Sequence, residues 1–531
     1  MSTDVKFLGL RGTPLEIAIA AVASTDLLLF GYDQGVIGGL LTLRSFTKTF
    51  PELCTTAECQ EGWTGYEKVH QSIVQGVVVS SYNLGCFAGA LLCIFIGNWL
   101  GRRRSIFVGS VTMIIGAILQ FTAFGLPHFL VGRIICGIGN GINTSTVPSW
   151  QVECAQSHQR GRTFVLDISV LLFGVTLSYW VDLGFSFIEP SSWAWRAPIA
   201  LQLIFAGFVA AIILFMPESP RWLVLKGRSE EAAKTLSALD NEPISSDFIA
   251  AQVHAIETTA VGSSGTGSFH RVFTTGKSKN FQRTALAYGI QIMQQVTGVN
   301  LITFYAATIY ENQIGLGGFT SRLLAAANGT EYWLASIPAI FLVERFGRRP
   351  LLFVGSAGMA VSMAILAAST SLNTSGGGIT AAVFLFIFNS FFALGWVSLP
   401  WLISSEVVSV GIRAQANALS TSANWIFNFA VVLITPIAFA MIGWKTYIIF
   451  AVINAASIPV VYFCYPETAL RSLEEIDLIF AKSTSVFDAV KVAKTMPRHF
   501  GRNGEVLVNM VEEVEAVATA DKVVTEHKEI A

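Results

Sequence analysis

Long apolar runs separated by short polar loops dominate this chain of 531 residues. Each run holds about 20 or more residues, the length that an α-helix needs to cross a hydrocarbon core of roughly 30 Å. The composition agrees, because 53% of the residues are hydrophobic and only 13% are charged, whereas about a quarter of the residues in soluble domains are charged. The chain is therefore predicted to be an all-α polytopic membrane protein.

Twelve transmembrane helices are predicted, and their loops set a direction. The predicted spans are 15–41, 70–97, 105–125, 128–150, 163–184, 196–216, 282–310, 322–343, 350–371, 380–404, 412–440 and 444–464. One side receives basic loops such as "GRRRS" and "ERFGRRP", whereas the other receives short loops almost without Lys or Arg. Because cytoplasmic loops carry the excess of positive charge, both termini are predicted to be cytoplasmic, in a multi-pass protein of the plasma membrane.

Three pairs of loop motifs recur at almost one offset. "NWLGRRRS" returns as "ERFGRRPL" after 246 residues, "PESPRWL" returns as "PETALRSL" after 249, and a Glu–Arg pair seven residues apart returns after 253. This repeat indicates a duplicated six-helix unit, which is the plan of the major facilitator fold. The predicted divisions are an N-terminus (1–14), an N-terminal half (15–217), a cytoplasmic helical linker (218–281), a C-terminal half (282–464) and a cytoplasmic tail (465–531).

Charged residues in and beside the basic loops form a predicted cytoplasmic gate. Its members are Arg102, Arg103, Glu153, Arg160, Glu344, Arg348, Glu406 and Arg413. Orientation by positive charge is the simpler role of the arginines. The matched recurrence favours a second role, in which ion pairs with Glu153 and Glu406 bridge helices within each half. We expect such pairs only when the cytoplasmic ends of the halves approach, which would favour the outward-open state.

Seven motifs together resemble the sugar porter family of the major facilitator superfamily: "GYDQG", "GRIICGIG", "PESPRWL", "QQVTGVN", "ERFGRRP", "SLPWLISSEV" and "PETALRSLEEI". The resemblance runs from residue 25 to residue 482. "YWVDLGFSF" and "NALSTSANWIFNFAVVLITP" are similar to the fungal branch that contains glycerol–proton symporters. The resemblance implies a transporter of a small polyol or sugar, and we expect a monomer without a cofactor or metal. A net charge of -1 without a basic patch gives no indication of nucleic-acid binding.

Asp33 is an ionisable residue inside an otherwise apolar helix, where such a residue usually marks a transport pathway. The one arginine well inside a predicted span is Arg133, in the same half, and pairing the two is the least costly way to bury both charges. A static salt bridge is one interpretation. The other is a proton switch, in which Asp33 is ionised beside Arg133 and takes a proton when the pair separates. The resemblance supports the switch, because proton-coupled sugar porters carry an aspartate at this place.

Asp26 lies seven residues before Asp33, on the same helical face. It is either a second water-accessible acid or, as the simpler interpretation, a polar residue near the start of the helix.

Amide and aromatic residues of helices seven to eleven form the predicted substrate site. Amides both donate and accept hydrogen bonds, and aromatic rings stack on the C–H faces of a polyol or sugar. By the resemblance, the sugar-contacting positions are Gln294, Gln295, Asn300, Asn328, Trp396, Asn424 and Trp425. For any single amide, helix–helix packing remains the alternative role.

Three positions depart from the family pattern. Ile168 replaces a glutamine in helix five, and Asp167 beside it is a candidate for hydrogen bonding or for the proton path. Phe304 replaces the first tyrosine of a pair and precedes Tyr305, while Asn98 replaces an aspartate in a first-half loop. Losing a glutamine and a hydroxyl favours a smaller polyol or a more apolar substrate over a hexose.

The sequence therefore predicts a proton-coupled symporter that imports a small polyol or sugar by alternating access. A facilitative uniporter is one alternative, and Asp33 counts against it. A nutrient sensor on the same fold is another, although such sensors tend to carry longer cytoplasmic tails. No set of nucleophile and base or of metal ligands appears, so we do not expect an enzyme.

Glycosylation tests the predicted topology. Asn373, in "SLNTSGGG" between helices nine and ten, should face the outside and carry a glycan in a eukaryotic membrane. The sequons at Asn143 and Asn328 lie inside predicted spans and should stay unmodified. The mass shift on deglycosylation of the wild type and of Asn373→Gln measures this. Glycan within 218–281, or protease access to that segment from the outside alone, would reverse the orientation.

Overall fold

The computed structural model describes residues 6–54, 63–154, 160–264, 269–276, 278–372, 374–409, 412–469, 471 and 473–496. Within these residues the regular structure is helical, apart from an isolated bridge between Phe7 and Leu10. Asn373, whose glycosylation is predicted above, lies outside the described residues.

The N-terminal half and the linker form the first ten helices. They are α1 (Thr13–Leu40), α2 (Arg44–Thr49), α3 (Gly65–Leu100), α4 (Arg102–Phe121), α5 (Leu126–Cys154), α6 (Arg160–Ser186), α7 (Trp193–Ile213), α8 (Pro220–Leu225), α9 (Ser229–Asp240) and α10 (Asp247–Ser264). The linker helices α8 to α10 pack on one another, and α9 also contacts α1. We call the side of the membrane that holds this linker the linker side, and the opposite side the far side.

The C-terminal half and the start of the tail form the remaining helices. They are α11 (Asn280–Val296), α12 (Val299–Thr308), α13 (Gly318–Phe346), α14 (Arg348–Ser371), α15 (Ser375–Gly395), α16 (Leu399–Val407), α17 (Arg413–Ile442), α18 (Lys445–Cys464), α19 (Leu473–Lys482) and α20 (Val486–Thr495). The last two follow the twelfth predicted span.

All twelve predicted spans are helical in the structure. Their ends differ from the prediction by five residues at most, as where α3 begins at Gly65 instead of residue 70. Nine of the described helical segments are long and apolar enough to cross a membrane by length and composition alone. The other three spans, α5, α11 with α12, and α13, carry polar residues that the sequence assigned to the functional sites, including Arg133, Gln294 and Asn328.

The seventh span, predicted to be one helix over 282–310, is broken into α11 and α12. Gly298 has a φ of 97°, a left-handed value that glycine adopts without a steric penalty and that ends the regular helix. Asn454 donates to the Thr297 carbonyl at 2.8 Å, and the Thr297 hydroxyl donates to the Gln294 carbonyl at 2.7 Å. These bonds replace helical ones inside the membrane.

The tenth span, predicted to be one helix over 380–404, is broken into α15 and α16. The break precedes Pro400, which lies in the first turn of α16 and has no backbone N–H to donate. The carbonyls of Trp396 and Val397 lie at this break, and both accept hydrogen bonds from the side chain of Gln294, at 2.7 and 3.0 Å. The two broken helices therefore meet through one glutamine.

Glycines bring α1 and α6 into backbone contact. A Cβ atom at Gly31 would lie 1.9 Å from the carbonyl oxygen of Leu171, and one at Gly174 would lie 2.1 Å from that of Leu28. Small residues allow such close approach between transmembrane helices, where packing contacts replace the hydrophobic effect as the driving force. Helices α1 and α6 therefore form a tightly packed pair within the N-terminal half.

The two halves meet along α3 with α17 and along α6 with α13. At the middle of this seam, Asn83 Nδ2 donates to Asn428 Oδ1 at 2.9 Å. Nearer the far side, Arg322 Nη1 donates to the Thr42 carbonyl at 3.1 Å. The halves are therefore joined both at the middle of the seam and at the far side.

The start of the tail docks on the C-terminal half. Arg283 of α11 forms an ion pair with Asp477 of α19, and its guanidinium lies 4.9 Å from the centroid of the Phe480 ring. The same side chain donates from Nε to the Val407 carbonyl at the end of α16, at 2.6 Å. One buried arginine thus joins both broken spans to the tail.

The backbone contact between α1 and α6 predicts a large difference between two glycine substitutions. Gly31→Ala should destabilise the protein by about 1–3 kcal/mol, because the new methyl group meets a backbone carbonyl that cannot move aside. Gly207→Ala in α7 is the matched control, since a Cβ there meets no atom within 4 Å. Thermal unfolding in detergent measures both. Equal midpoints would show that α1 and α6 are not in backbone contact.

Candidate functional site

Asp33 lies deep in α1, and only 1% of its surface is exposed. Tyr82 of α3 donates its hydroxyl to Asp33 Oδ2 at 3.2 Å, and the Cys136 thiol of α5 lies 3.8 Å from the same oxygen. Asp33 Oδ1 has no hydrogen-bond partner among the described residues. A buried carboxylate depends on such donors when it is ionised, so Tyr82 is the principal partner of Asp33.

The predicted ion pair between Asp33 and Arg133 is not formed in this structure. Arg133 Nη2 donates instead to the Val79 carbonyl at 2.9 Å, and the guanidinium lies 4.9 Å from the centroid of the Tyr82 ring. Tyr82 therefore contacts the acid through its hydroxyl and the base through its ring, as a cation–π contact. Tyr82 is thus the residue that both side chains contact, in place of a direct ion pair between them.

Two further carboxylates of the N-terminal half have protein donors. Asn143 Nδ2 donates to Asp26 Oδ1 at 2.6 Å, and the Ser24 hydroxyl donates to Asp167 Oδ1 at 2.9 Å. Asp26 is as buried as Asp33, with 1% of its surface exposed, and lies well inside α1. The adjacent Ile168 is also buried.

Gln294 is the centre of an amide network in the C-terminal half. Its Oε1 accepts from Asn424 Nδ2 at 2.9 Å and from Gln295 Nε2 at 3.4 Å. Asn300 Nδ2 extends the network by donating to Gln295 Oε1 at 2.5 Å. The structure therefore brings together four of the seven predicted substrate residues, on both sides of the break at Gly298.

The two predicted tryptophans differ in what they offer a ligand. Trp396 donates its indole N–H to the Ser356 hydroxyl of α14 at 3.0 Å, so this donor is already engaged. Trp425 instead packs across the seam on Phe30 of α1, with ring centroids 5.3 Å apart. Its Nε1 is buried and has no partner among the described residues.

The remaining predicted residues lie outside the Gln294 network. Asn328 Oδ1 accepts from Asn389 Nδ2 at 2.7 Å, which joins α13 to α15. Tyr305 donates its hydroxyl to the Val432 carbonyl at 3.0 Å, and Phe304 is fully buried in the core. Asn328, Phe304 and Tyr305 are therefore in contact with neighbouring helices rather than with the network.

Several functional candidates are polar residues that the sequence analysis did not single out. They are Tyr82, Asn83, Gln291, Asn389 and Asn428. Gln291 accepts from Asn424 Nδ2 at 2.7 Å and so belongs to the network. Spacing offered a signal, because residues three or four apart share a helix face, as Gln291 does with Gln294 and Asn428 with Asn424.

Some buried polar atoms in this region have no partner among the described residues. Asn83 Oδ1 is such an acceptor, and Gln291 Nε2, Asn328 Nδ2 and Trp425 Nε1 are such donors. An unpaired polar group inside a membrane costs several kcal/mol. A ligand rich in hydroxyl groups would pair with both kinds, because each hydroxyl donates once and accepts twice.

The predicted gate residues form one ion pair in each half. Arg102 lies 3.0 and 3.1 Å from the carboxylate oxygens of Glu153, and Arg348 Nη2 lies 2.9 Å from Glu406 Oε1. Each pair joins two helices of a single half and is present while the far-side ends of the halves are in contact. Each pair is therefore a contact within one half, and its link to the outward-open state stays a prediction.

The other predicted gate residues either donate to backbone carbonyls or have side chains that lie outside the described residues. Arg103 Nη1 donates to the Met216 carbonyl at 3.2 Å, and Arg413 Nη2 donates to the Val408 carbonyl at 3.3 Å. The side chains of Arg160, Glu344 and Asn98 lie outside the described residues.

Two glutamates that the sequence analysis did not assign complete the gate. Glu218 of "PESPRWL" accepts from the backbone N–H groups of both residues that open α4, at 3.0 and 3.2 Å. Glu467 of "PETALRSL" does the same at the start of α14, at 3.0 Å each. A carboxylate at a helix N-terminus is favoured by the helix dipole. The duplicated motif carried this signal, because both copies begin with Pro-Glu.

The sequence matches known transporters over most of its length. Residues 19–480 match the family described as "Sugar (and other) transporter". The sugar transporter STL1 of Saccharomyces cerevisiae is 40% identical over 480 residues, which cover 90% of this chain and 83% of STL1. The quinate permease of Emericella nidulans is 30% identical over 505 residues, covering 89% and 91%. The inward-open structure of the E. coli xylose transporter XylE is 26% identical, with a TM-score of 0.70, covering 87% of this chain and 99% of that one.

The Arg102–Glu153 pair predicts a change in conformational balance without a change in recognition. Glu153→Gln should leave the KM for the transported substrate within about twofold, because the pair is remote from the amide network. The maximal rate should fall, because an uncompensated guanidinium favours access of water and so opening on the linker side. Uptake kinetics with a linker-side distance measurement check this. Glu231→Gln is the matched control, since Arg228–Glu231 is an exposed pair at the start of α9. A changed substrate preference in Glu153→Gln would exclude the gate role.

Proposed function

We propose that this chain, which belongs to the sugar transporter family of the major facilitator superfamily, is a proton-coupled symporter that imports a small polyol or sugar by alternating access. The observation that carries the proposal is the arrangement of Asp33, Tyr82 and Arg133. In this arrangement one tyrosine contacts a buried acid through its hydroxyl and a buried base through its ring. An ionisable residue at this depth usually marks an ion or substrate pathway.

Proton exchange at Asp33 follows from the helices that meet there. The carboxylate lies on α1, its donor Tyr82 on α3, and Arg133 on α5. When these helices are packed, the tyrosine hydroxyl and the guanidinium stabilise the ionised carboxylate. When α3 moves away from α1, both contributions weaken and Asp33 takes a proton. Proton binding is thereby coupled to the arrangement of the half.

The substrate proposal rests on the uncharged character of the amide network. Gln294, Gln295, Asn300 and Asn424 supply donors and acceptors without a net charge, and Trp425 supplies a ring and a free donor. This chemistry suits a neutral ligand with several hydroxyl groups. One relative is named sugar transporter STL1, and a sugar belongs to this class of ligand. Buried Ile168 and Phe304 favour a ligand smaller than a hexose.

A polyhydroxylated carboxylate is the second candidate substrate, because relatives named quinate permease are 30–31% identical to this chain. Such a ligand requires a cation or several free donors for its carboxylate. The nearest buried cation to consider, Arg133, is engaged by the Val79 carbonyl and by the Tyr82 ring. This difference favours the neutral polyol.

We further propose that the linker side is cytoplasmic, that the membrane is the plasma membrane, and that one chain suffices for transport. The basic loops on the linker side support the orientation. A single chain carries both the amide network and the Asp33 site, which supports the monomer.

Asp33→Asn tests the coupling, because an amide keeps the shape of the side chain and cannot exchange a proton. One proton driven by 100 mV supplies about 2.3 kcal/mol, enough for roughly 50-fold accumulation. The variant should lose accumulation and the pH dependence of uptake, whereas counterflow exchange at equal concentrations should survive, because the amide network is untouched. Uptake of labelled glycerol, larger polyols, hexoses and quinate at two pH values, with a proton-flux readout, measures this.

Tyr82→Phe is the companion variant, because it removes the hydroxyl and keeps the ring beneath Arg133. It should retain coupled accumulation and move the pH profile of uptake, whereas Asp33→Asn should flatten that profile. Undiminished, pH-sensitive accumulation by Asp33→Asn would exclude the mechanism. An unchanged pH profile in Tyr82→Phe would remove the tyrosine from it.

A further inference from the structure

Asp182 of α6 is a fourth buried carboxylate of the N-terminal half, and neither the gate nor the substrate site uses it. Only 1% of its surface is exposed, and neither carboxylate oxygen has a hydrogen-bond partner among the described residues. Asp26, Asp33 and Asp167 each accept a bond from a neighbouring side chain. Asp182 therefore differs from them in its surroundings.

The side chain of Asp182 packs against the far-side end of α1. A Cβ atom at Gly39 would lie only 2.3 Å from Asp182 Oδ2, so the glycine leaves room for the carboxylate. The Gly39 backbone approaches the carboxylate without the geometry of a hydrogen bond. One residue earlier, a Cβ at Gly38 would lie 3.0 Å from the Phe304 carbonyl of α12. Asp182 thus lies beside the place where the N-terminal half meets α12.

The same helix joins the two halves at this level. Tyr179, one turn before Asp182, donates its hydroxyl to the Thr303 carbonyl of α12. Just beyond the end of α6, the ring of Phe187 lies 5.9 Å from that of Phe319 in α13, across the seam. Asp182 therefore lies beside contacts that join the two halves on the far side, and separating the halves there would break these contacts.

The charged and titratable groups around Asp182 do not compensate a negative charge. It interacts electrostatically with the phenols of Tyr32 on α1 and Tyr179 on α6. Tyr32 also interacts electrostatically with Asp33. Arg322 of α13 reaches the end of α1, but it donates to the Thr42 carbonyl. On α13, the Glu331 carboxylate accepts from Ser390 of α15. None of these described groups gives Asp182 a donor or a positive charge.

An ionised carboxylate buried without a donor or a cation costs several kcal/mol. We propose that Asp182 is a second proton-binding site, distinct from Asp33, that holds a proton while the far side of the seam is closed. Opening the far side admits water, which solvates the ionised form. Closure and proton binding then favour each other reciprocally, so that a lower far-side pH favours the closed arrangement. The inference rests on the alternating access proposed above and is independent of coupling through Asp33.

A fluorophore at residue 187 and a short-range quencher at residue 319, attached without cysteine chemistry to the full-length protein in lipid nanodiscs, measure the far-side opening. In the otherwise unchanged protein, quenching should decrease as the pH rises, and the ratio of closed to open should change by up to about tenfold per pH unit for one linked proton. Asp182→Asn mimics the protonated form, so it should stay quenched at every pH.

Matched variants separate this site from the other carboxylates. Asp167→Asn removes a carboxylate of the same helix that has a donor, and Asp33→Asn removes the proposed coupling site; both should keep the pH-dependent opening. If Asp182→Asn does not fold, Asp182→Ser removes the carboxyl group within a smaller volume and should likewise abolish the pH dependence. The proposal would be overturned if the pH-dependent opening persisted without the Asp182 carboxyl group. It would also be overturned if that opening were lost in Asp33→Asn. Absence of any pH dependence in the labelled parent protein would overturn it too. Loss of coupled uptake in Asp33→Asn together with an unchanged far-side response separates the two sites.

Discussion

A bilayer offers no hydrogen bonds to the protein, so each polar group inside it needs a partner in the chain or in a ligand. This constraint explains why the two helix breaks and the amide network occur together. The break at Gly298 and the break before Pro400 leave backbone carbonyls without helical donors, and the Gln294 side chain donates to two of them. The same glutamine also accepts a hydrogen bond from Asn424. One residue therefore both satisfies the carbonyls at a helix break and belongs to the candidate substrate site.

The two halves repeat the same charged contacts on the linker side, whereas their interiors differ. Both carry an Arg–Glu pair and a glutamate that caps the following helix, as the duplication requires. The buried carboxylates Asp33 and Asp182 belong to the N-terminal half, whereas the Gln294 network of neutral amides belongs to the C-terminal half. The proposed proton chemistry and the proposed substrate recognition thereby belong to different halves. The Asn83–Asn428 bond crosses it, so a movement between the halves changes both environments.

The sequence was sufficient for the features that follow from local pattern. Hydrophobic length and the duplicated motifs predicted twelve spans with ends within five residues of those observed. The helix breaks were missed because their signal is ambiguous: Pro400 directly follows a break, whereas Pro148, Pro198 and Pro338 lie inside continuous helices. Tyr82 was missed for a different reason. An aromatic residue in an apolar helix is usual in packing, and its position between Asp33 and Arg133 depends on three helices that are distant in sequence.

The contacts within and between the halves differ in kind, and this difference determines where the molecule can move. Within the N-terminal half, glycines such as Gly31 and Gly174 place one backbone directly against another, and sliding would require carbonyls and Cα atoms to pass through each other. Between the halves, the contacts are side-chain hydrogen bonds and tilted ring pairs such as Phe30 with Trp425. Side chains can exchange these partners for water or for a ligand. The α1–α6 pair is therefore expected to move as one unit, whereas the ring contacts at the seam can change during the proposed alternating access.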